Sequence, residues 1–216
     1  MPPVFAPKAR TASSRAPGAK LLAVRAFGVN TGGPQGTSMN IVKGLEWAVK
    51  EGAQVINMSF AGPRDPILEQ AIRGLKDRGV ILIAAAGNAG PKSPVLFPGG
   101  DPNVIAVSAT DMDDKTYSSA NRGKQVAIAA PGVDILVPAP EGGYQLTTGT
   151  SVAAAHISGV VALMLERNPR LTPAEVRGIL AATAKKLPQG RNEVGAGLVD
   201  PVQALSKAAP RSAQLR

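Results

Sequence analysis

The 216 residues suit one α/β domain with a continuous core, and the absence of cysteine excludes disulfides, thiolate metal sites and a cysteine nucleophile. The formal charge of +9 sits mostly at the ends: Lys8, Arg10, Arg15 and Lys20 give +4 in an acid-free stretch, Lys207, Arg211 and Arg216 give +3, and residues 21–203 keep only +2. That distribution, with only seven aromatic residues, argues against a nucleic-acid platform, and no run of eighteen uncharged apolar residues offers a membrane span or the centre of a signal peptide.

Residues 1–19 are rich in proline, alanine, serine and basic side chains without hydrophobic period, which predicts a disordered basic tail. A second disordered tail is expected over 208–216, leaving a domain at 20–207. Leu21–Phe27 reads as a buried strand and 28–36, rich in glycine, proline and asparagine, as a loop. Thr37 or Ser38 can cap a helix whose Ile41, Leu45, Ala48 and Val49 share one face and which ends near Gly52. Val55–Ser59 follows as a strand. Asp65 with Pro66 starts a second helix, with Ile67, Leu68, Ala71, Ile72 and Leu75 on one face and Gly79 at its end. Val80–Ala85 is a further buried strand. Continuous apolar strands alternating with helices predict right-handed crossovers and a parallel sheet covered on both faces.

Val104–Val107 and Val126–Ala129 supply two more short strands on either side of an Asp-rich connection. Tyr144–Thr148 then leads into a helix that opens at about Ser151 and is apolar on every side, the mark of a helix buried through the middle of a domain. Thr172-Pro173-Ala174-Glu175 is a capping box for a surface helix reaching about Ala184, and a last helix starts at Pro201.

Acyl transfer needs a nucleophile, a base, a group that orients the base, and donors for the developing oxyanion. Ser151 stands in the first turn of the buried helix, where backbone N–H groups stabilise negative charge. Its bland alternative is a helix cap. Asn88 lies in Ala84-Ala85-Ala86-Gly87-Asn88-Ala89-Gly90, a glycine-flanked turn at the carboxyl end of a strand, where ligands of open α/β sheets collect. Alone it is equally a turn residue tolerant of left-handed geometry.

The stretch Gly149-Thr150-Ser151-Val152-Ala153-Ala154-Ala155-His156 resembles the nucleophile signature of subtilisin-like serine proteases, Gly-Thr-Ser-x-Ala-Ala-Pro-His, with Ala155 in place of proline. The Asn88 turn resembles that family's oxyanion motif, and Val55-Ile56-Asn57-Met58-Ser59-Phe60-Ala61-Gly62-Pro63 its substrate-cleft segment. Phe97-Pro98, Ser118-Ser119 with Asn121 to Gly123, Ala130-Pro131-Gly132 and Gly195 to Asp200 fall in family order, so the resemblance covers about residues 16–206. It implies a three-layer α/β fold with a mostly parallel central sheet between helices. It also implies a serine endopeptidase acting through an acyl-enzyme on Ser151, with Asn88 as oxyanion donor. A peptide or protein substrate would lie as an added strand along Gly32–Gly36 and Ser59–Gly62. Its primary pocket would be shallow and apolar, walled by Ser59, Phe60, Ala61 and by Ala85, Ala86 and Gly87, with Ala89 at the rim and Leu96 at the floor. No cofactor is expected; relatives often bind structural calcium, but no such site is recognisable. The family suggests a secreted or periplasmic protein.

The family's catalytic aspartate and histidine motifs precede anything matched here, because the resemblance begins at Ala16-Pro17-Gly18-Ala19-Lys20. The expectation is therefore a domain lacking its N-terminal strands, inactive as an isolated chain, with open edges at Leu21–Phe27 and Val55–Ser59; the alternative is a non-catalytic pseudoprotease that binds peptides. The only histidine, His156, follows Ser151 by five residues and points roughly 140° away on the same helix, as a packed core residue rather than a base. Ser151 Oγ and the Asn88 amide should face one cleft.

Overall fold

The computed structural model of the chain describes residues 4–6, 16–30, 33–139 and 142–210, with 4–6, 29–30 and 33–35 through the backbone alone. β1 (Val4–Ala6) pairs antiparallel with β2 (Ala23–Arg25), and β3 (Gly28–Asn30) with β4 (Gly33–Gln35). The N-terminal tail expected to be disordered thus contains a short strand, and Ala16 is buried; the rest of that expectation, at 1–3 and 7–15, and 211–216 of the C-terminal one, lie outside the described residues. Leu21–Phe27 is not a buried parallel strand. Only its middle is extended, half-exposed and paired with β1, while Val24 leans on a helix at Gly44, where a side chain would come within 2.6 Å of it. The supposed loop at 28–36 is a hairpin whose arms, three residues each, are too short to show periodicity.

From here the chain follows the predicted order. α1 (Ser38–Lys50) is capped by Thr37, β5 (Val55–Met58) follows, and α2 (Pro66–Asp77) is capped by Asp65. β6 (Ile81–Ala85), β7 (Val104–Thr110) and β8 (Val126–Pro131) complete a four-stranded parallel sheet in the order β5-β6-β7-β8. Every residue of β6 and β7 is buried, as continuous apolar runs require of strands covered on both sides. One face carries α1 and α2 through Leu45, Leu68, Ile72 and Leu75. The other carries α3 (Thr150–Arg167), which crosses the sheet with Ala153, Ala154, Ile157, Val160, Val161 and Met164 inward. Behind it pack α4 (Pro173–Thr183), opened by the predicted capping box, and α6 (Pro201–Ala208). Two elements were not foreseen: β9 (Ile135–Pro138), which pairs antiparallel with β10 (Tyr144–Thr147), and the single turn α5 (Arg191–Val194).

The helix α3 is apolar all round yet not buried all round. Ala155 is exposed and Val152, His156, Gly159 and Leu163 are half-buried, a stripe that the 100° helical step places on one side. β5 likewise has a partner only in β6 and forms the edge of the sheet. No helix among the described residues is long and apolar enough to cross a membrane.

Asp65 fixes where two helices begin. Its Oδ1 accepts from the Ile67 and Leu68 N–H groups at 2.9 Å each, and its Oδ2 accepts from Ser38 Oγ in the first turn of α1. The Ser38 hydroxyl first, and the Leu68 N–H next, hold the Asp65 carboxyl below the usual aspartate range. A carboxylate favoured by folding contributes its full stability above the unfolded-state pKa and loses it as pH falls through the lowered folded-state value. Asp65→Ala should therefore be less stable than the parent at neutral pH, with the gap closing in acid below the ordinary aspartate range. Urea denaturation across that range measures it, and a pH-independent gap would contradict the assignment.

Candidate active site

Two segments meet at the carboxyl edge of the sheet. The chain leaves β6 through Ala86, whose N–H donates to Val107 O at 2.9 Å, and turns at Gly87, whose φ of +111° suits glycine. The second segment leaves β10, passes Gly149 and enters α3. Gly149 is fixed by its N–H to Gly132 O at 2.7 Å, and a Cβ at Gly132 would meet Gly149 O at 2.8 Å and Ala153 Cβ at 3.1 Å. That close approach explains the glycine of Ala130-Pro131-Gly132.

Thr150 joins the segments. Its N–H and its hydroxyl both donate to Asn88 Oδ1, at 2.9 Å each, while the hydroxyl oxygen accepts the Gly87 N–H at 3.1 Å. A backbone N–H can only donate, so the atom of the Asn88 carboxamide facing Thr150 must be its oxygen. Nδ2 is thereby turned the other way. A Cβ built on Gly149 would lie 3.1 Å from Ser151 Oγ and 3.2 Å from Asn88 Nδ2, so the hydroxyl and the amide stand on the same side of Gly149, where a side chain would crowd both.

Both border a cavity of about 300 Å³ lined by Ser59, Phe60 and Ala61 after β5, by Ala85 at the end of β6 with Gly87, Asn88 and Ala89 after it, and by Leu96 and Ser151. None of these side chains is ionisable at neutral pH. Three residues expected to bind substrate, Ala86 in the pocket wall and Gly36 and Gly62 along the extended cleft, are not among those lining the cavity. Ala86 is buried behind the wall, and Gly62 pairs with Phe97 through two 2.8 Å backbone bonds that anchor the end of the cleft segment. Gly36 abuts the Phe27 ring, which meets the Phe60 ring of the cavity wall at 5.2 Å between centroids. Gly32 lies outside the described residues. His156 is half-buried and is not among the residues lining the cavity.

Thr150 and Asn57 were not singled out in advance. Asn57 Nδ2 donates to Ser59 Oγ at 2.8 Å, and Ser59 Oγ donates to the Ser151 carbonyl at 3.0 Å, tying the strand β5 to the first turn of α3. The threonine of the Gly-Thr-Ser motif was the available signal for the first; the second is an exposed asparagine with no pattern to mark it. Chemically, an oxygen gaining negative charge in the cavity beside Ser151 can accept from Asn88 Nδ2, and the Ser151 N–H, second in the helix, has no intrahelical acceptor to compete for it.

Fold and site together define a three-layer α/β domain of the subtilisin-like class. The profile of the subtilase family matches residues 6–197. The chain is similar to subtilisin BL of Lederbergia lenta, 37% identical over 186 residues that make up 86% of this chain and 67% of that one. It is equally similar to M-protease of Shouchella clausii, 37% identical over 86% of this chain and 48% of the relative. Among solved structures, the prenylagaramide maturation protease PagA superposes with a TM-score of 0.74 and 31% identity, over 82% of this chain and 69% of that one. The chain therefore spans between about half and two thirds of the relatives' length. It belongs to the subtilase family.

Thr150 is fully buried and its hydroxyl serves two partners, so the near-isosteric Thr150→Val leaves the Gly87 N–H without its acceptor and removes one donor to Asn88 Oδ1. Unsatisfied groups of this kind cost about 1–3 kcal/mol each. Chemical denaturation of Thr150→Val should show a loss of about that size, and a variant as stable as the parent would mean the joint is not formed.

Proposed function

We propose that this chain carries the nucleophile and the oxyanion donor of a serine endopeptidase, Ser151 and Asn88, and that it needs a base from outside the residues that line its cavity. The observation that carries the reading is that Ser151 Oγ and Asn88 Nδ2, each within 3.2 Å of where a side chain on Gly149 would begin, border one cavity. Ser151 Oγ attacks a peptide carbonyl there, forming the ester C–O bond while the carbonyl oxygen takes up charge against Asn88 Nδ2 and the Ser151 N–H. The C–N bond then breaks, the amine leaves with the proton the base took from Ser151, and water hydrolyses the ester. The substrate is held extended against Ser59–Ala61, whose exposed backbone follows an edge strand suited to strand addition.

His156 is a poor base for this step, because it sits on the half-open stripe of α3 and outside the cavity wall. Without a base the hydroxyl keeps its proton at neutral pH and attacks slowly. Purified 1–216 is expected to show no peptidase activity and no labelling of Ser151 by a phosphonylating reagent. Both should appear when a family segment bearing the aspartate and histidine motifs is fused in frame, and vanish again in Ser151→Ala. Labelling of Ser151 in the unfused chain would reveal a base within it. A folded fusion that binds peptides but never labels would favour a pseudoprotease.

The pocket wall made by Phe60, Ala85, Gly87, Ala89 and Leu96 offers no carboxylate to pair with a cationic side chain. In the fused enzyme, cleavage after alanine or leucine should outpace cleavage after lysine or arginine in kcat/KM. The reverse order would place the primary pocket elsewhere.

A further inference from the structure

The segment Ser118–Gly123 has no part in the chemistry described so far, yet it lies directly under the turn that presents Asn88. Gly90 N–H donates to Ser119 O at 2.8 Å, and Asn121 N–H donates to Gly87 O at 2.9 Å. Asn121 Oδ1 then accepts the Ala89 N–H at 2.8 Å. The residue on each side of Asn88 is thus bonded to Asn121, once through its backbone and once through its side chain.

The other end of that side chain is informative. Asn121 is fully buried, and its Nδ2 has no hydrogen-bond partner among the described residues. It fills the space a side chain at Gly87 would need: a Cβ there would fall 2.3 Å from Nδ2 and 3.3 Å from Leu96 Cδ1. Burying an amide with one end unsatisfied opposes folding. What offsets it is the oxygen end, which holds the Ala89 N–H, and the tight seat against Gly87, which fixes the turn from below while Thr150 fixes Asn88 from the side.

From this geometry we infer that Asn121 is a positioning residue for the oxyanion donor: it locks the Gly87-Asn88-Ala89 turn so that Asn88 Nδ2 stays aimed into the cavity beside Ser151 Oγ. The inference rests on the reading of Asn88 as that donor, but its test needs no turnover. Thr150 restrains only the oxygen of the Asn88 carboxamide, and a loose turn would let the nitrogen swing about that anchor. Preorganisation of a donor is what makes it useful to a developing charge, so a residue that removes the swing acts on the chemistry through Asn88 without touching substrate.

The experiment is nuclear magnetic resonance on the full chain 1–216, reading the 15N order parameter of the Asn88 side-chain amide in the parent, in Asn121→Leu and in Asn121→Asp. Leucine keeps the volume without the acceptor; aspartate keeps an acceptor for the Ala89 N–H. The parent amide should be rigid, near about 0.85, the leucine variant should fall below about 0.6, and the aspartate variant should recover most of the difference. A purely structural role would lower the melting temperature of Asn121→Leu and leave the Asn88 order parameter of the folded protein in place, which would overturn the inference, as would equal loss in both variants. If either variant fails to fold, the unaltered chain still decides: a scalar coupling across the hydrogen bond from Ala89 N to Asn121 Cγ is expected, and its absence with rapid exchange of the Ala89 N–H would refute the clamp. Failure of the peptidase reading would appear instead in the fused enzyme, with Asn88 rigid and Ser151 unlabelled.

Discussion

The bond pair from Thr150 to Asn88 Oδ1 is the contact on which the site depends. It joins the end of β6 to the start of α3, two elements separated by more than sixty residues of chain, and it does so with a buried hydroxyl whose other partner is the Gly87 N–H. Because a backbone N–H cannot accept, the carboxamide has only one orientation that satisfies the contact, and that orientation turns Nδ2 toward Ser151. The helix contributes in the same place. The N-cap residue Gly149 has no side chain to offer α3, and with the Thr150 N–H taken by Asn88 Oδ1 the Ser151 N–H and the positive end of the helix dipole stay free for the cavity that Ser151 lines. Gly149 completes the arrangement, because a side chain there would press on both the hydroxyl and the amide.

The layers behind the site make this arrangement rigid. β6 and β7 are buried end to end, and α3 lays six apolar side chains across the sheet, so the two segments that carry Asn88 and Ser151 share one core. Close packing of that kind leaves little room for the segments to drift relative to each other. The periphery is less complete. β5 is an edge strand without a proline or a charge of its own, and one stripe of α3 stays half-open. Such an edge is a place where a further strand can add, and it adjoins the Ser59–Ala61 wall of the cavity.

Most of the central architecture was legible because it rests on patterns that a chain cannot carry by accident. The continuous apolar runs of β6 and β7 can be satisfied only by a doubly covered sheet, and Asp65-Pro66 and Thr172-Pro173-Ala174-Glu175 announce helix starts with their own capping atoms. Ser151 and Asn88 were singled out through family motifs, and the fold brings both to one cavity. What escaped was set by partners distant in sequence. Leu21–Phe27 has the composition of a core strand, but the parallel sheet ends at β5 and the segment settles for β1. The uniform apolarity of α3 reports what the helix can bury, not what the described residues bury, which is why Ala155 is exposed. Asn57 and Asn121 look like ordinary polar residues until the fold brings Ser59 and the Gly87 turn against them.

The central claim is that Ser151 Oγ and Asn88 Nδ2 serve one oxyanion. The direct measurement is a crystal structure of the fused enzyme with a phosphonyl group on Ser151, whose phosphoryl oxygen stands for the carbonyl oxygen in the transition state. That oxygen should lie about 3 Å from both Asn88 Nδ2 and the Ser151 N–H, with Asn88 Oδ1 still on Thr150. An oxygen pointing to solvent, or an Asn88 carboxamide rotated away while the rest of the site is intact, would contradict the account.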